Sequence, residues 1–198
     1  MIKTTVTVIS LGLTAAAQAK PIDHLKEIHL ASEAAPQHIT AQASFLAFEN
    51  GRFTPIKQGT NNFTCLVMRS PEGRFEPACL NEQAVRSILP TYEKHMQLRW
   101  QGLSKQQTMD KLAQLYQQGQ LPTAEMAALV FMMSSNNRGA KMDGTHYPIP
   151  SHQMYFFPKL DDEVFSINGT GVRLWQGYPH LTSLIVDVSG TQVSEHQH

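Results

Sequence analysis

Histidine is the reactive side chain this sequence has in excess: nine of its 198 residues are His24, His29, His38, His95, His146, His152, His180, His196 and His198. His146 and His152 share a polar stretch with Asp143, and His180 follows a proline in a late loop. If those segments meet, three imidazoles and a carboxylate make a donor set suited to Zn²⁺ or Cu²⁺. A metal held by Asp143, His146, His152 and His180 could activate water, so a metal-dependent or other hydrolase using His146, His152 and His180 is one reading of the chain. The spacing matches no established ligand pattern, and solvated or core-packed imidazoles are the plainer account. No cofactor is then required.

Two small polar loops offer a different chemistry. Gly59-Thr60-Asn61-Asn62 and Ser134-Ser135-Asn136-Asn137 both sit beside apolar runs, at strand ends where ligand sites often lie. Thr60, Asn61 and Asn136, with His180, are the expected wall of a small-ligand pocket, set against ordinary turn formation by Asn and Gly. Ser134 or Ser135 with His180 and Asp187 would supply nucleophile, base and orienting acid, a combination that most chains of this size contain on paper. The G-x-S-x-G, S-x-x-K and H-E-x-x-H signatures, the P-loop and the dinucleotide fingerprint are all missing from the sequence. Binding of a small ligand or an envelope component is therefore the leading expectation, the hydrolase the alternative and a structural or adhesive role a third. Whether the chain is an enzyme stays open at this level.

The two cysteines, Cys65 and Cys79, flank a strand, a Ser70-Pro71-Glu72-Gly73 turn and a second strand. Both stand at equal distance from Glu72, so they can face each other across an antiparallel ladder within disulfide reach. The C-x-x-C spacing of redox and zinc sites is lacking. The segment Gln58-Gly59-Thr60-Asn61-Asn62-Phe63-Thr64-Cys65, the later Cys79-Leu80, the run ending in Ser134-Ser135-Asn136 and Pro179-His180 resemble a group of exported bacterial proteins of unassigned activity. The resemblance spans residues 43–188, and its specific part is the Gly-Thr-Asn-x-x-Thr-Cys segment. It implies export and a disulfide, and no mechanism.

Export is also read from the N-terminus. Lys3 precedes an uncharged stretch from Thr4 to Ala17, then Ala17-Gln18-Ala19, the three-part pattern of a cleavable signal over residues 1–19. The stretch is too short to span a bilayer core, which takes about 20 apolar residues. Removing it takes away one of 16 basic residues and none of the 16 acidic ones, for a mature net charge of −1. Such a balance, with no basic cluster, argues against nucleic acid as a partner. The expected location is the periplasm or the exterior, with no membrane span after cleavage.

Some element must position these groups. Helices are expected over Pro21–Ala35, from Asn81 through Trp100 with a break at Pro90, and after Ser104. Strands are expected on both sides of Asn50-Gly51, around the two cysteines, at Ala127–Met133, Met154–Phe157 and Val172–Trp175, and at Leu184–Val188. Ser134–Ser151 reads as a long loop. The order strands, helices, strands predicts one α+β domain over residues 20–190, a largely antiparallel sheet with helices packed on one face, and a mobile polar tail over 191–198.

Overall fold

A computed structural model describes residues 22–124, 127–158, 172–175, 177–178 and 181–188. The expected signal, the polar tail and His180 lie outside the described residues.

Asp23 opens helix α1 (His24–Ser32) by accepting from the Leu25 and Lys26 amides, and the short α2 (Gln37–Thr40) starts behind Pro36. Strand β1 (Ser44–Glu49) turns through Asn50-Gly51 into β2 (Arg52–Lys57). Both turn residues take positive φ, 51° and 78°, which two-residue hairpins demand and which Asn and Gly adopt most readily. Strand β2 is an edge of the sheet, the position expected from Pro55.

The next hairpin pairs β3 (Phe63–Arg69) with β4 (Phe75–Asn81) in a register that sets Cys65 directly opposite Cys79. The two are joined in a disulfide, with Cα atoms 4.1 Å apart, as their spacing predicts. Helices α3 (Glu82–Ser87), α4 (Leu89–Trp100) and α5 (Lys105–Gln117) follow. Asn81 Oδ1 caps α3 by accepting from the Ala84 amide, and it also accepts from the Leu129 amide, fixing the helix to the sheet. Pro90 falls in the first turn of α4, where its missing N–H is no loss. Ser104 and Gln107 form a capping box at the start of α5. Strands β5 (Ala128–Met132), β6 (Arg138–Ala140), β7 (His146–Pro148), β8 (His152–Pro158), β9 (Val172–Trp175) and β10 (Leu181–Asp187) complete the chain.

The main sheet runs β2-β1-β3-β4-β5-β8-β10-β9, and among the described residues only the short β1–β3 pairing is parallel. The class is α+β with a largely antiparallel sheet, as expected. The helices, however, divide between the two faces. Cys65, Val67, Phe75 and Cys79 pack against the alanines of α1 and the segment after it, while Leu66, Met68, Ala78 and Leu80 pack under α3, α4 and α5. The reason is visible in β3: Cys65-Leu66-Val67-Met68 is apolar without alternation and buried throughout, so both faces must be covered. The stretch 134–151 is likewise no plain loop, since β6 and β7 pair within it through Arg138↔Pro148 and Ala140↔His146.

The disulfide joins buried residues of β3 and β4, so its removal acts on the centre of the sheet. Closing a loop of this separation contributes about 3 kcal/mol through the unfolded chain. The Cys65→Ala/Cys79→Ala variant is expected to lose about that much in urea unfolding. Coincident unfolding curves for the variant and the oxidised protein would contradict a stabilising bridge.

Candidate functional site

On the face covered by α3, α4 and α5, a cleft of about 550 Å³ opens between α4, the sheet and the β6–β7 hairpin. It is the kind of hollow in which small-molecule sites are built, both in volume and in lining. Its apolar wall includes Met109, Met132, Met154, Ile149 and Ile185, and its mouth carries the exposed Met142 and Tyr147. Trp175 lies against Gly177, where even a Cβ would overlap the indole, and meets Tyr178 edge-on at 5.1 Å. Tyr178 in turn contacts Tyr92 at 6.0 Å and His95 at 6.1 Å between ring centroids.

The polar groups of the cleft arrive from three elements. Arg74, just before β4, pairs with Glu76. Strand alternation carries Glu76 to the same face as Ala78 and Leu80, and the pair can stand there because β4 has a gap in its second ladder. The strand pairs with β6 at Phe75 and with β5 only from Cys79 onward. Pro77 lies in that gap, where a missing N–H leaves no partner stranded.

Burial and charge fix the protonation of this cluster. Burial raises the Tyr178 hydroxyl to about 12 against the opposing pull of Arg74, and burial likewise raises Tyr92 well above the ordinary range. The Arg74 guanidinium is pushed down by burial but more strongly up by Glu76 and the two tyrosines, so it stays charged. His95, 7% exposed on α4, goes the other way. Burial first, then Arg74, Arg99 and Lys105, lower it to about 3, and its Nδ1 is buried without a hydrogen-bond partner among the described residues.

A second ion pair holds the walls together. Arg99, also buried on α4, donates to Glu72 Oε1 at 2.5 Å and to the Leu103 carbonyl, and its Nη2 approaches Met142 Sδ at 3.7 Å. Burial raises the Glu72 carboxyl, but the Ser70 hydroxyl, a backbone N–H and Arg99 together outweigh it and leave the group below its usual range. The Glu72 carbonyl accepts from His146 Nε2 at 3.1 Å. The β3–β4 turn, α4 and the β6–β7 hairpin thus meet at Glu72.

The histidines expected to gather do not form a ligand set among the described residues, where no three His, Cys, Asp or Glu side chains lie close enough to hold a metal. His152 does line the cleft, 4% exposed, with Nδ1 donating to the Pro150 carbonyl at 2.7 Å. His146 is spent on Glu72 from the hairpin's exposed side. Asp143 is exposed and accepts from the Thr145 amide in the hairpin turn. His180 lies outside the described residues.

The polar loops have structural work of their own. The Thr60 and Asn61 amides both donate to the Gln42 carbonyl, and Gly59 packs so close to Ala43 and Ser44 that a Cβ would overlap their backbone. Asn61 also donates to the Ile39 carbonyl and caps the Phe63 amide. These bonds hold β1 beside β3. Asn136 and Ser134 both donate to Glu33 Oε2, at 3.0 and 2.6 Å, which ties the loop after β5 to the end of α1 and occupies the Ser134 hydroxyl. None of Thr60, Asn61 and Asn136 lines the cleft, which lies elsewhere.

Arg74, Glu76, Tyr92, His95, Arg99, Trp175 and Tyr178 are among the cleft residues that sequence reading misses. One signal was available: Glu76 alternates with Ala78 and Leu80 on a strand face that turns to a core, so its charge needed a partner, and Arg74 stands two residues before it.

His95 sets an expected pH dependence. Its folded value lies below the unfolded one of about 6.5, so the unfolded chain binds the extra proton, and stability falls as pH drops from that value toward 3. The slope from this group is at most about 1.4 kcal/mol per pH unit. Urea unfolding of His95→Gln between pH 7 and 4 is expected to show a flatter profile than the parent; parallel profiles would mean that His95 does not titrate this way.

No protein-family model matches the chain, and comparison with curated proteins and with solved structures finds no significant match to either.

Proposed function

We propose that this protein binds a small organic molecule in the cleft between α4 and the sheet, and that it works outside the reducing cytosol, in the periplasm or beyond. The observation that carries the reading is the cleft itself, about 550 Å³ with a largely apolar wall and a few buried polar groups directed by packing and ion pairs. A methionine-rich wall suits a binder, because the unbranched thioether refits itself to the shape it meets. The rim of Tyr147 and Trp175, 44% and 36% exposed, offers flat rings that hold contact area with little loss of side-chain freedom.

The protonation states favour binding over proton transfer. A general base works best with a value near the operating pH. His95, held near 3, is a poor base at neutrality and a good fixed hydrogen-bonding group. Tyr92 and Tyr178 stay protonated for the same reason. The disulfide supports the extracytosolic setting, since such bonds persist in oxidising compartments, and it accords with the signal pattern of residues 1–19. Among the described residues no helix is long and apolar enough to cross a membrane.

Titration with the neutral fluorescent probe N-phenyl-1-naphthylamine tests the reading. A saturable rise in emission at one probe per chain is expected, with quenching of Trp175, one of the two tryptophans. Trp175→Ala should weaken the probe by roughly fivefold, the scale of one aromatic contact. Unsaturable binding, or binding indifferent to Trp175, would sink the assignment of this cleft.

A further inference from the structure

We infer that the ligand is an amphipathic anion: a flexible apolar chain with one negatively charged end, held with the chain in the methionine-lined interior and the charge at the mouth. The inference rests on the cleft being the binding site, and it comes from an account of the charges that line it.

Four cations and two carboxylates line the cleft. Arg74 is matched by Glu76 and Arg99 by Glu72, so the interior is neutral. Lys105 and Lys141, both exposed, have no carboxylate partner among the described residues. The nearest acid in sequence to Lys141, Asp143, is engaged with its own turn. Among the described residues, the cleft therefore has a neutral interior and a mouth with an excess of two positive charges.

Lys105 is also placed where a helix would not choose it. It is the first residue of α5, whose first turn contains no acidic side chain. The amide dipoles make that end positive, so a cation there is disfavoured and an anion favoured. An anionic group between Lys105 and Lys141 would relieve both repulsions. His95, on the helix between these groups, lies within electrostatic reach of Lys105 as well as of the paired Arg74 and Arg99. Its buried Nδ1, without a partner among the described residues, gives the α4 wall a hydrogen-bonding group that those residues do not use. The thioethers of Met109, Met132 and Met154 line the same cleft and present an adaptable surface that a flexible apolar chain can fill.

Displacement of N-phenyl-1-naphthylamine by decanoate, decanol and decyltrimethylammonium at low ionic strength tests the inference, since the three share a chain and differ in charge. Decanoate is expected to bind on the order of tenfold more tightly than decanol, and the ammonium more weakly than decanol. The decanoate-to-decanol ratio should collapse toward one in the Lys105→Gln/Lys141→Gln variant and on adding salt. Equal affinity for acid and alcohol, or a preference that survives the double substitution, would overturn the anionic end while leaving the cleft as a binding site. If the neutral probe itself fails to bind, the cleft reading falls and this inference falls with it.

Discussion

The register between β3 and β4 is the constraint on which the remaining structure depends. With Cys65 opposite Cys79, the odd-numbered side chains of this hairpin turn to α1 and the even-numbered ones to α3, α4 and α5. A slip of one residue would exchange the faces. Glu76 would then enter the alanine-lined layer under α1, and Phe75 would enter the cleft. The covalent bond between the two strands is therefore also what delivers an ion pair to the correct side. On the opposite face the same register sets Arg69 beside Glu27, with Oε1 at 2.6 Å, and stacks Arg69 and Arg138 near Phe75.

The cleft is built from charges that cancel before any ligand arrives. Burying Arg99 and Glu76 is tolerable only because each has an oppositely charged partner, Glu72 for the first and the half-buried Arg74 for the second. That neutrality has a geometric use. The Arg99–Glu72 pair joins parts of the chain 27 residues apart, and Glu72 ties the β3–β4 turn to α4 and, through its carbonyl, to the β6–β7 hairpin. The Arg99–Glu72 pair and the His146 bond hold the walls, while the apolar lining between them, Met132, Met154 and Ile185 included, belongs to the packed core.

Much of the frame is legible in the sequence, because it rests on local rules. Asn50-Gly51, the Ser104 capping box, Pro55 at an edge and the symmetric cysteines each specify geometry within a few residues. What escapes is non-local. The second helical face follows from α1 folding back onto β3, although the unbroken apolar run Cys65–Met68 hinted at it. Strands β6 and β7 are three residues each, too short for alternation to show, and only Asp143-Gly144 marks their turn. The expectation built on histidine count turned on His146, His152 and His180 meeting in space, which no local pattern encodes. His95 was counted as one of nine; its distinction is the company of Arg74, Arg99 and Tyr178 around it, which only the fold assembles. Trp100, spaced four and eight residues from Met96 and Tyr92 on α4, would share their inward stripe, yet it is 54% exposed while its neighbours Leu98 and Arg99 are buried.

The cysteine pair has one more consequence, for how the chain matures. Among the described residues no other cysteine is left over, and the sequence contains only these two. A single pairing is therefore available, and it joins neighbouring strands of one hairpin rather than distant parts of the sheet. Oxidation cannot trap the chain in a mispaired form that would have to be reshuffled. An electron acceptor is enough, and a disulfide isomerase has nothing to correct.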